Sequence, residues 1–297
     1  MSLRARLLNG WLRHTEKRLL ARIQQPGSLR KHVERSARLF FRAPRAVRFG
    51  STFLGGIQAV TVTPAEVRGS ALILYFHGGG YVFGSPRTHR SLIAHLAIRT
   101  GLEAVLPRYR LAPEHPFPAA PEDAMEAYRA VMDHPGGVII GGDSAGGGLA
   151  LILLAQICAL GLRQPLGTFC FSPLTDMTFS GGSFEFNANA DPILPAHRAA
   201  DMADMYLQGA AARDPRASPL FAEFKGAAPV WMTAGDTEIL LDDSRRMAAH
   251  LVHENIDVTC VIAPGLPHVW PLFHGLIPEA RQTLGELACW ITSLSRL

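Results

Sequence analysis

Six short apolar segments, spread between residues 71 and 263, constrain the fold more than any other feature of this sequence. They lie at 71–76, 103–107, 138–141, 167–171, 229–234 and 258–263. Near-continuous apolar runs of this length are typical of strands buried on both faces of a parallel sheet. Segments with helical spacing separate several of them, at 88–100, 119–133, 145–161 and 242–254. The alternation predicts an α/β fold with a mostly parallel central sheet and helices on both faces.

The segments outside this alternation predict additional elements. Alternating apolar positions around a Gly-Gly pair predict a β-hairpin over 46–63. Residues 1–40 have helical spacing, and breakers at Gly10 and Pro26 predict two short helices. The interval between the strands at 167–171 and 229–234 is far longer than a crossover needs. We interpret about 177–220 as a cap insertion above the carboxyl ends of the strands, with helical pieces near 182–190 and 195–208.

Charge is distributed unevenly along the chain. Residues 1–48 contain 13 Lys and Arg but only two acids, Glu16 and Glu34, although the formal charge of the whole chain is only +4. A basic helical segment is compatible with binding to nucleic acid or anionic lipid, or with a solvated helix face. Because no nucleic-acid-binding motif accompanies the charge, we expect a solvated face and no nucleic-acid partner.

The sequence predicts a cytoplasmic protein without an integral membrane segment. The first residues lack the sustained apolar run of a signal peptide. The longest uncharged stretch, 144–162, opens with Ser-Ala-Gly-Gly-Gly and contains Gln156, so it indicates a buried helix rather than a membrane span. The four cysteines form no C-x-x-C pair, which favours small core residues in a reducing compartment. With 48% apolar and 18% charged residues, the chain is also unlike a disordered protein.

The first motif with chemical meaning is the G-x-S-x-G run Gly142-Asp143-Ser144-Ala145-Gly146. It follows a predicted strand and opens a predicted helix. In that setting the pattern serves a strained turn that exposes the serine Oγ at the top of the sheet. The helix N-terminus behind it favours developing negative charge. A phosphate-binding loop is excluded, because no Gly-Lys-Ser/Thr follows.

The second motif is His77-Gly78-Gly79-Gly80, directly after the strand at 71–76. Acyl transfer needs two or three N–H donors aimed at the tetrahedral oxyanion, and consecutive glycines leave such groups unshielded. We predict Gly78 and Gly79 as donors, with Ala145 as the third. A flexible loop without function is the alternative, but the pairing with G-x-S-x-G disfavours it.

A nucleophilic serine in such a sheet needs an acid and then a histidine later in the chain. Twelve histidines compete. His268 follows the last predicted strand directly, where the topology places the base. His274 lies further from the strand end, and His250 and His253 indicate an exposed helix face. We therefore predict His268 as the base.

The acid is less well determined, because four carboxylates follow the strand at 229–234 within eight residues. They are Asp236, Glu238, Asp242 and Asp243. Asp242 and Asp243 suit the N-terminal dipole of the next helix, so their presence has a structural explanation. The residues alone leave Asp236 and Glu238 open.

Taken together, these motifs resemble the bacterial hormone-sensitive-lipase family of α/β-hydrolase carboxylesterases. The resemblance covers roughly 48–297 and depends on residues 77–80, 109–119, 142–147, 172–173 and 265–268. The run Tyr-Arg-Leu-Ala-Pro-Glu-His-Pro-Phe-Pro-Ala at 109–119 is long and specific. Residues 1–47 resemble the N-terminal cap helices of the family. The resemblance implies an α/β-hydrolase fold with a helical cap. The catalytic domain spans 48–297, and the cap consists of residues 1–47 together with the insertion at about 177–220 within that domain.

The resemblance also implies roles for individual residues. The family acid, usually Asp in Asp-Pro-Leu, corresponds in position to Glu238, which Ile239 follows here. Glu serves in some triads of this fold, so we favour Glu238 over Asp236 and Asp242. Tyr81 and Phe83, with residues of 178–215, are implied as substrate-binding.

The implied activity is a serine carboxylesterase for short- to medium-chain acyl esters, acting through an acyl-enzyme with Ser144, Glu238 and His268. It needs neither a metal nor an organic cofactor, and its partner is a small-molecule ester. Members of the family often dimerise through the last strand, and the apolar segment 258–262 is suited to this; an edge covered within the monomer is the alternative.

Three other functions remain open from the sequence. A ligand-binding receptor on the same scaffold is one, although receptors resembling this family lack the histidine that His268 represents. An amidase or lactonase uses the same motifs, so they do not exclude it. Nucleic-acid binding through the basic N-terminus would show affinity that falls steeply with salt.

Overall fold

An eight-stranded sheet forms the centre of the molecule, and the computed structural model describes residues 1–294. The strands are β1 (Val47–Leu54), β2 (Ile57–Pro64), β3 (Leu72–Phe76), β4 (Glu103–Pro107), β5 (Val138–Asp143), β6 (Gly167–Phe171), β7 (Val230–Gly235) and β8 (Val258–Ala263). Their order in space is β1-β2-β4-β3-β5-β6-β7-β8. β2 runs antiparallel to both neighbours, and the other pairs are parallel. The predicted mostly parallel sheet and its hairpin are thus confirmed.

Helices flank the sheet and cover one of its ends. They are α1 (Leu3–His14), α2 (Glu16–Arg22), α3 (Pro26–Phe40), α4 (Pro86–Thr100), α5 (Ala119–Arg129), α6 (Ala145–Leu160), α7 (Ser183–Phe186), α8 (Ala199–Leu207), α9 (Leu241–His253) and α10 (Pro278–Leu294). The four helices predicted between strands are present as α4, α5, α6 and α9, although α5 ends four residues earlier than predicted. Sequence reasoning missed α10.

The N-terminal segment forms three helices, so the prediction of two with a break at Gly10 is wrong. Ser2 Oγ caps α1 by accepting the Ala5 N–H, and α1 continues through Gly10. A glycine inside a helix costs about 1 kcal/mol relative to alanine. Burial of Leu8 and Leu12 outweighs this, because each contributes about 1.5–3 kcal/mol. Pro26 begins α3, where the missing N–H costs nothing.

The two faces of the sheet are buried against different helices. In β3, Ile73 and Tyr75 belong to the apolar core that includes α4 and α10, whereas Leu74 and Phe76 belong to the core that includes α5, α6 and α9. All four side chains are fully buried. Because successive strand residues point to opposite faces, a strand buried on both faces is apolar throughout. The continuous apolar runs of the sequence therefore have this physical cause.

The insertion between β6 and β7 lies beside the N-terminal helices. It forms α7, a short 3-10 turn at Ala196–Arg198 and α8, so the helix predicted over 182–190 is only the single turn α7. Arg13 donates a hydrogen bond to the Ala190 carbonyl, and Lys17 Nζ donates to the Ala188 and Asp191 carbonyls at 2.8 and 2.6 Å. The side chains of α1 and α2 thus hold the insertion.

A bilayer-crossing segment is not found among residues 1–294: none of their helices is both long enough and apolar enough. The uncharged stretch at 144–162 is the origin of α6, which lies against β5 and β6 inside the protein. Most of its residues are fully buried within the fold.

Candidate active site

Ser144 lies at a strained turn between β5 and α6. Its backbone has φ 52° and ψ −124°, a conformation that residues with a side chain rarely adopt. The end of β6 and the residues just after it hold this turn: the Ser144 N–H donates to the Phe171 carbonyl at 2.8 Å, and the Ser144 carbonyl accepts from Leu174 N–H at 3.0 Å. The strain is therefore maintained by the ends of β5 and β6 together.

The two glycines of the motif make this turn possible. A Cβ on Gly142 would lie 2.1 Å from the Gly146 carbonyl oxygen, and a Cβ on Gly146 would lie 2.2 Å from that of Phe76. Both distances are far below van der Waals contact, and both neighbours are backbone atoms. Strand and helix can therefore cross at this distance only with glycine at both positions.

His268 contacts a buried carboxylate. Its Nδ1 lies 2.6 Å from Glu238 Oε2, and Glu238 is fully buried. The other carboxylate oxygen accepts hydrogen bonds from Ser172 Oγ at 2.8 Å and from the Gly235 N–H. A carboxylate at Nδ1 favours the tautomer with the proton on Nδ1, which leaves Nε2 as a proton acceptor.

The other three carboxylates of this loop are engaged elsewhere. Each accepts a backbone N–H: Asp236 from Gly265 at 2.6 Å, Asp242 from Ser183 at 2.8 Å and Asp243 from Thr175 at 2.7 Å. Each ties the loop or the start of α9 to a neighbouring segment. Of the four candidates, Glu238 is the one that the structure brings to His268.

The other candidate histidines also have separate surroundings. His274 is buried beside Ser91 and His95, and burial lowers its pKa to about 3, with His95 adding to the effect. His250 contacts the Ala222 carbonyl from α9, and His253 is exposed at the end of the same helix. Neither the α9 histidines nor His274 lines a cavity that contains Ser144.

The glycine loop after β3 differs from the sequence prediction in one respect. The Gly78 N–H, a predicted donor toward Ser144, instead donates to Asp143 Oδ1 at 3.0 Å. Within the described chain, the N–H groups of Gly79 and Gly80 form no hydrogen bond. The structure therefore contradicts the choice of Gly78. Sequence reasoning missed Gly80, whose signal was its place as the third glycine of the run.

Asp143 organises this loop from a buried position. Its Oδ1 also accepts the Tyr75 hydroxyl at 2.7 Å, and its Oδ2 lies 3.2 Å from His89 Nε2. Burial opposes ionisation of this carboxyl, but His89 and the hydrogen-bond donors outweigh it and lower the pKa of Asp143. An ionised Asp143 thus fixes the loop against the residue that precedes Ser144.

Two cavities meet at Ser144. The larger one, of about 170 Å³, is also lined by His268, Gly79 and Phe83, and by apolar side chains of α1 and α3. We call it the His268-side cavity. The smaller one, of about 90 Å³, is lined by Gly80 and by side chains of the insertion such as Met202. We call it the insertion-side cavity. His268 borders the first cavity and not the second.

The two predicted substrate-binding aromatics occupy different places. Phe83 lines the His268-side cavity. Tyr81 is fully buried, and its ring stacks on Tyr206 with the centroids 4.0 Å apart. Among the described residues, neither cavity beside Ser144 has Tyr81 in its lining. Tyr81 therefore supports the fold around the site, and the prediction of direct contact with substrate does not agree with its position.

Comparison with known proteins connects this geometry to a family. A family model described as the alpha/beta hydrolase fold matches residues 73–272. An acetyl-hydrolase of Streptomyces hygroscopicus is 36% identical over 78% of this chain and 78% of its own length. An esterase of Acinetobacter venetianus is 33% identical over 91% of this chain and 89% of its own. A crystal structure of an esterase from the bacterial hormone-sensitive lipase family superposes with a TM-score of 0.93 at 32% identity, covering 99% of both chains.

The chain belongs to the bacterial hormone-sensitive-lipase family of α/β-hydrolases. It is a carboxylic ester hydrolase. The fold class and the family inferred from its motifs are therefore confirmed. The similarity also extends beyond the motifs, because the solved esterase covers the N-terminal helices and the insertion as well.

Electrostatics in this esterase favour the protonated form of His268. Burial lowers the pKa of His268 and is the largest single effect. The charge of Glu238 and its hydrogen bond act in the opposite direction, with Asp191 and Asp143 adding to them, and the net pKa lies above 6.5. The site therefore stabilises an imidazolium, as a base that takes up a proton during reaction requires.

Sequence reasoning also missed residues of the insertion that hold the Glu238 loop of the esterase. Asn187 Nδ2 donates to the carbonyls of Asp236 and Glu238 at 2.9 and 2.8 Å. Asp191 Oδ2 accepts the Ile239 N–H at 3.0 Å. No local signal identifies these residues, because their partners lie about fifty positions later in the chain.

Proposed function

We propose that this protein is a serine carboxylesterase that hydrolyses short-chain acyl esters through an acyl-enzyme on Ser144. The observation that carries the proposal is the 2.6 Å contact between His268 Nδ1 and the buried Glu238, with His268 and Ser144 lining one cavity. That arrangement provides a serine, a base and an orienting acid in the chain order that the fold uses.

The proposed reaction begins with proton transfer from Ser144 Oγ to His268 Nε2 as Oγ attacks the ester carbonyl. Glu238 holds the imidazole tautomer and stabilises the imidazolium. His268 then returns the proton to the alcohol oxygen as the C–O bond breaks. A water molecule, activated by His268, attacks the acyl-enzyme and releases the acid. These steps need no cofactor.

The oxyanion is stabilised by backbone N–H groups. We propose Gly79, Gly80 and Ala145, since the N–H of Gly78 is committed to Asp143. Donors held rigidly at the developing charge contribute about 2.7–4 kcal/mol each in related chemistry. The Asp143 contacts support this rigidity, because they fix the loop before substrate binds.

The two cavities support an assignment of the two halves of the ester. His268 must protonate the leaving alcohol, so the alcohol group belongs in the His268-side cavity. The acyl group then enters the insertion-side cavity, which has about 90 Å³. That volume is about half of the 170 Å³ of the His268-side cavity. We therefore propose a preference for short acyl chains, combined with tolerance of larger apolar alcohols.

Hydrolysis of p-nitrophenyl esters of increasing acyl length, by the wild type and Ser144→Ala, tests the proposal. We expect turnover to peak at short chains and Ser144→Ala to lose several orders of magnitude. Near-normal turnover by folded Ser144→Ala would refute the mechanism. A peak at the longest chains would refute the acyl assignment alone. Matching amides should react far more slowly than the esters, and the reverse would favour an amidase.

The cellular location is a separate proposal. We propose the cytoplasm, because the four cysteines are free thiols in the described structure: Cys170 buried, Cys158 and Cys260 half-buried and Cys289 exposed. Thiols in this state suit a reducing compartment. Fractionation of the source cells with an antibody to the protein tests the location.

A further inference from the structure

The N-terminal helices expose large apolar side chains to an unusual degree. Leu3, Leu7 and Leu39 are 68%, 66% and 70% exposed, and Trp11 and Phe40 are also exposed. Monomeric proteins rarely expose contiguous apolar surface without a function, whereas single exposed apolar residues are common. The question is therefore whether these side chains form one surface.

They do form one surface. Leu3, Leu7 and Trp11 follow each other at intervals of four residues, which places them along one side of α1. The Trp11 ring contacts the Phe40 ring at the end of α3, with centroids 5.1 Å apart. Phe40 and Leu39 in turn line a shallow surface groove together with the exposed Leu276. We call these six residues the N-terminal apolar patch.

Positive charge surrounds the patch. Arg4 and Arg6 flank the apolar stripe on α1, and both are exposed. A second groove beside the end of α3 is lined by four arginines, with Glu34 as its acidic member: Arg38, Arg42, Arg87 and Arg90. Within residues 1–294, none of these six arginines forms a salt bridge. Arg90 lies over the Phe49 ring, with its guanidinium carbon 5.0 Å from the ring centroid. The positive charge of the other five arginines is therefore available to a partner.

The patch also adjoins the active site. Trp11, Phe40 and Leu276 line the His268-side cavity as well as contributing to the patch. The exposed apolar surface thus continues into the cavity that contains Ser144 and His268. If an apolar phase such as a lipid layer covered the patch, an apolar ester dissolved in that phase would reach Ser144 without passing through water.

We propose that the N-terminal apolar patch docks this protein on an anionic lipid bilayer. An apolar helix face with Leu and Trp, bordered by arginines, is the pattern of helices that lie in the membrane interface. The arginines match the negative headgroups, and the leucines enter the acyl region. A second copy of the chain is disfavoured as the occupant, because it would bring two strongly basic segments together. Nucleic acid would use the charge but leave the leucines in water.

Sedimentation with lipid vesicles tests this inference without any ester turnover, so its outcome is independent of the proposed function. We expect the full chain to bind vesicles that contain phosphatidylglycerol and to bind pure phosphatidylcholine vesicles much more weakly. Leu3→Ser/Leu7→Ser should lower the affinity by about tenfold or more, because two large apolar side chains leave the interface. Arg38→Gln/Arg42→Gln should lower it about fivefold or more, and raised salt should act in the same direction.

Matched variants serve as controls. Phe53→Ser/Val252→Ser removes side chains that are 70% and 60% exposed elsewhere, and Arg163→Gln/Lys225→Gln removes two exposed charges elsewhere. We expect both controls to bind as the wild type does. Melting temperatures should show that every variant is folded, since all the altered side chains lie on the surface.

Three results would overturn the inference. The first is no binding of the wild type to anionic vesicles. The second is binding that Leu3→Ser/Leu7→Ser leaves unchanged, since purely electrostatic adsorption would then explain it. The third is a dimer in sedimentation velocity that the same variant dissociates while vesicle binding is absent, which would make the patch a contact between copies.

Discussion

At the scale of single residues, the charges around His268 determine how the site responds to pH. Burial alone would favour the neutral imidazole, but Glu238, Asp191 and Asp143 together raise the pKa of His268 above its ordinary 6.5. The base is active when neutral, so activity is lost as the pH falls through this raised pKa. Each nearby carboxylate therefore contributes to the position of the acidic limb of the pH–rate profile.

The first residue-scale prediction concerns Glu238. We expect the acidic limb of kcat/KM for the wild type to have its midpoint above pH 6.5. Glu238→Gln removes the charge that raises the pKa of His268, so the midpoint should move to lower pH and kcat/KM should fall by about 10²–10⁴. Initial rates across the pH range measure both. An unchanged midpoint would show that Glu238 does not act on His268.

The second residue-scale prediction concerns Asp191, a buried carboxylate of the insertion that holds the Ile239 N–H. Asp191→Asn removes a charge that raises the pKa of His268, and the acidic limb should shift to lower pH, but less than in Glu238→Gln. Asp204→Asn, which removes an exposed charge from the same insertion, serves as the control. Equal profiles for the two variants would contradict a role for Asp191 at the site.

At the scale of elements, the crossing of β5 and α6 explains why the Ser144 turn exists. The sheet brings the ends of β3 and β5 together through the register Phe76 to Gly142. The start of α6 then lies against the backbone of β3, and a side chain at Gly146 has no space. The turn is thus a consequence of helix and strand packing as much as of the local sequence.

This packing gives an element-scale prediction. Gly146→Ala places a methyl group 2.2 Å from the Phe76 carbonyl oxygen and should destabilise the protein by about 1–3 kcal/mol, with loss of activity. Gly10→Ala in α1 is the matched control, since no atom lies within 4 Å of its added Cβ. It should stabilise α1 by up to about 1 kcal/mol. Urea unfolding of both variants measures the difference, and equal stabilities would contradict the packing argument.

At the scale of the whole molecule, the outer edge of β8 is the feature that bears on assembly. β8 ends the sheet and pairs only with β7 in the described chain. Exposed edges of this kind favour pairing with another chain unless they are protected. Thr259, the second residue of β8, is exposed. These features support the proposal of a homodimer through the last strand.

The corresponding prediction is a change in mass. We expect the wild type to sediment as a dimer and Thr259→Lys to sediment as a monomer, because a lysine on an edge strand disfavours pairing with another strand. Phe53→Lys, on the β1–β2 hairpin at the other edge of the sheet, is the control and should remain dimeric. Sedimentation velocity distinguishes these outcomes, and a monomeric wild type would disprove the dimer.

The sequence predicted those features of the structure that depend on residues close together in the chain. The strands were predictable because burial on both faces leaves a continuous apolar run, and the β5–Ser144–α6 turn was predictable because its glycines lie within five residues. Gly10 shows where local prediction fails. The glycine predicts a helix end, but α1 continues through it because Leu8 and Leu12 are buried against residues near 270. The N-terminal helices were consequently miscounted.

The sequence by itself determined the fold class, the turn that presents Ser144 and the position of His268 after the last strand. Only the tertiary structure decided which of four carboxylates reaches His268. It also decided that Asp143 accepts the hydrogen bond of the Gly78 N–H, and that Tyr81 lies outside the two cavities beside Ser144. The physical reason is that these choices depend on the directions of side chains and N–H groups between segments far apart in the chain. Tertiary packing determines the positions of these polar atoms to within a fraction of an ångström. The spacing of residue types along the sequence does not contain that information.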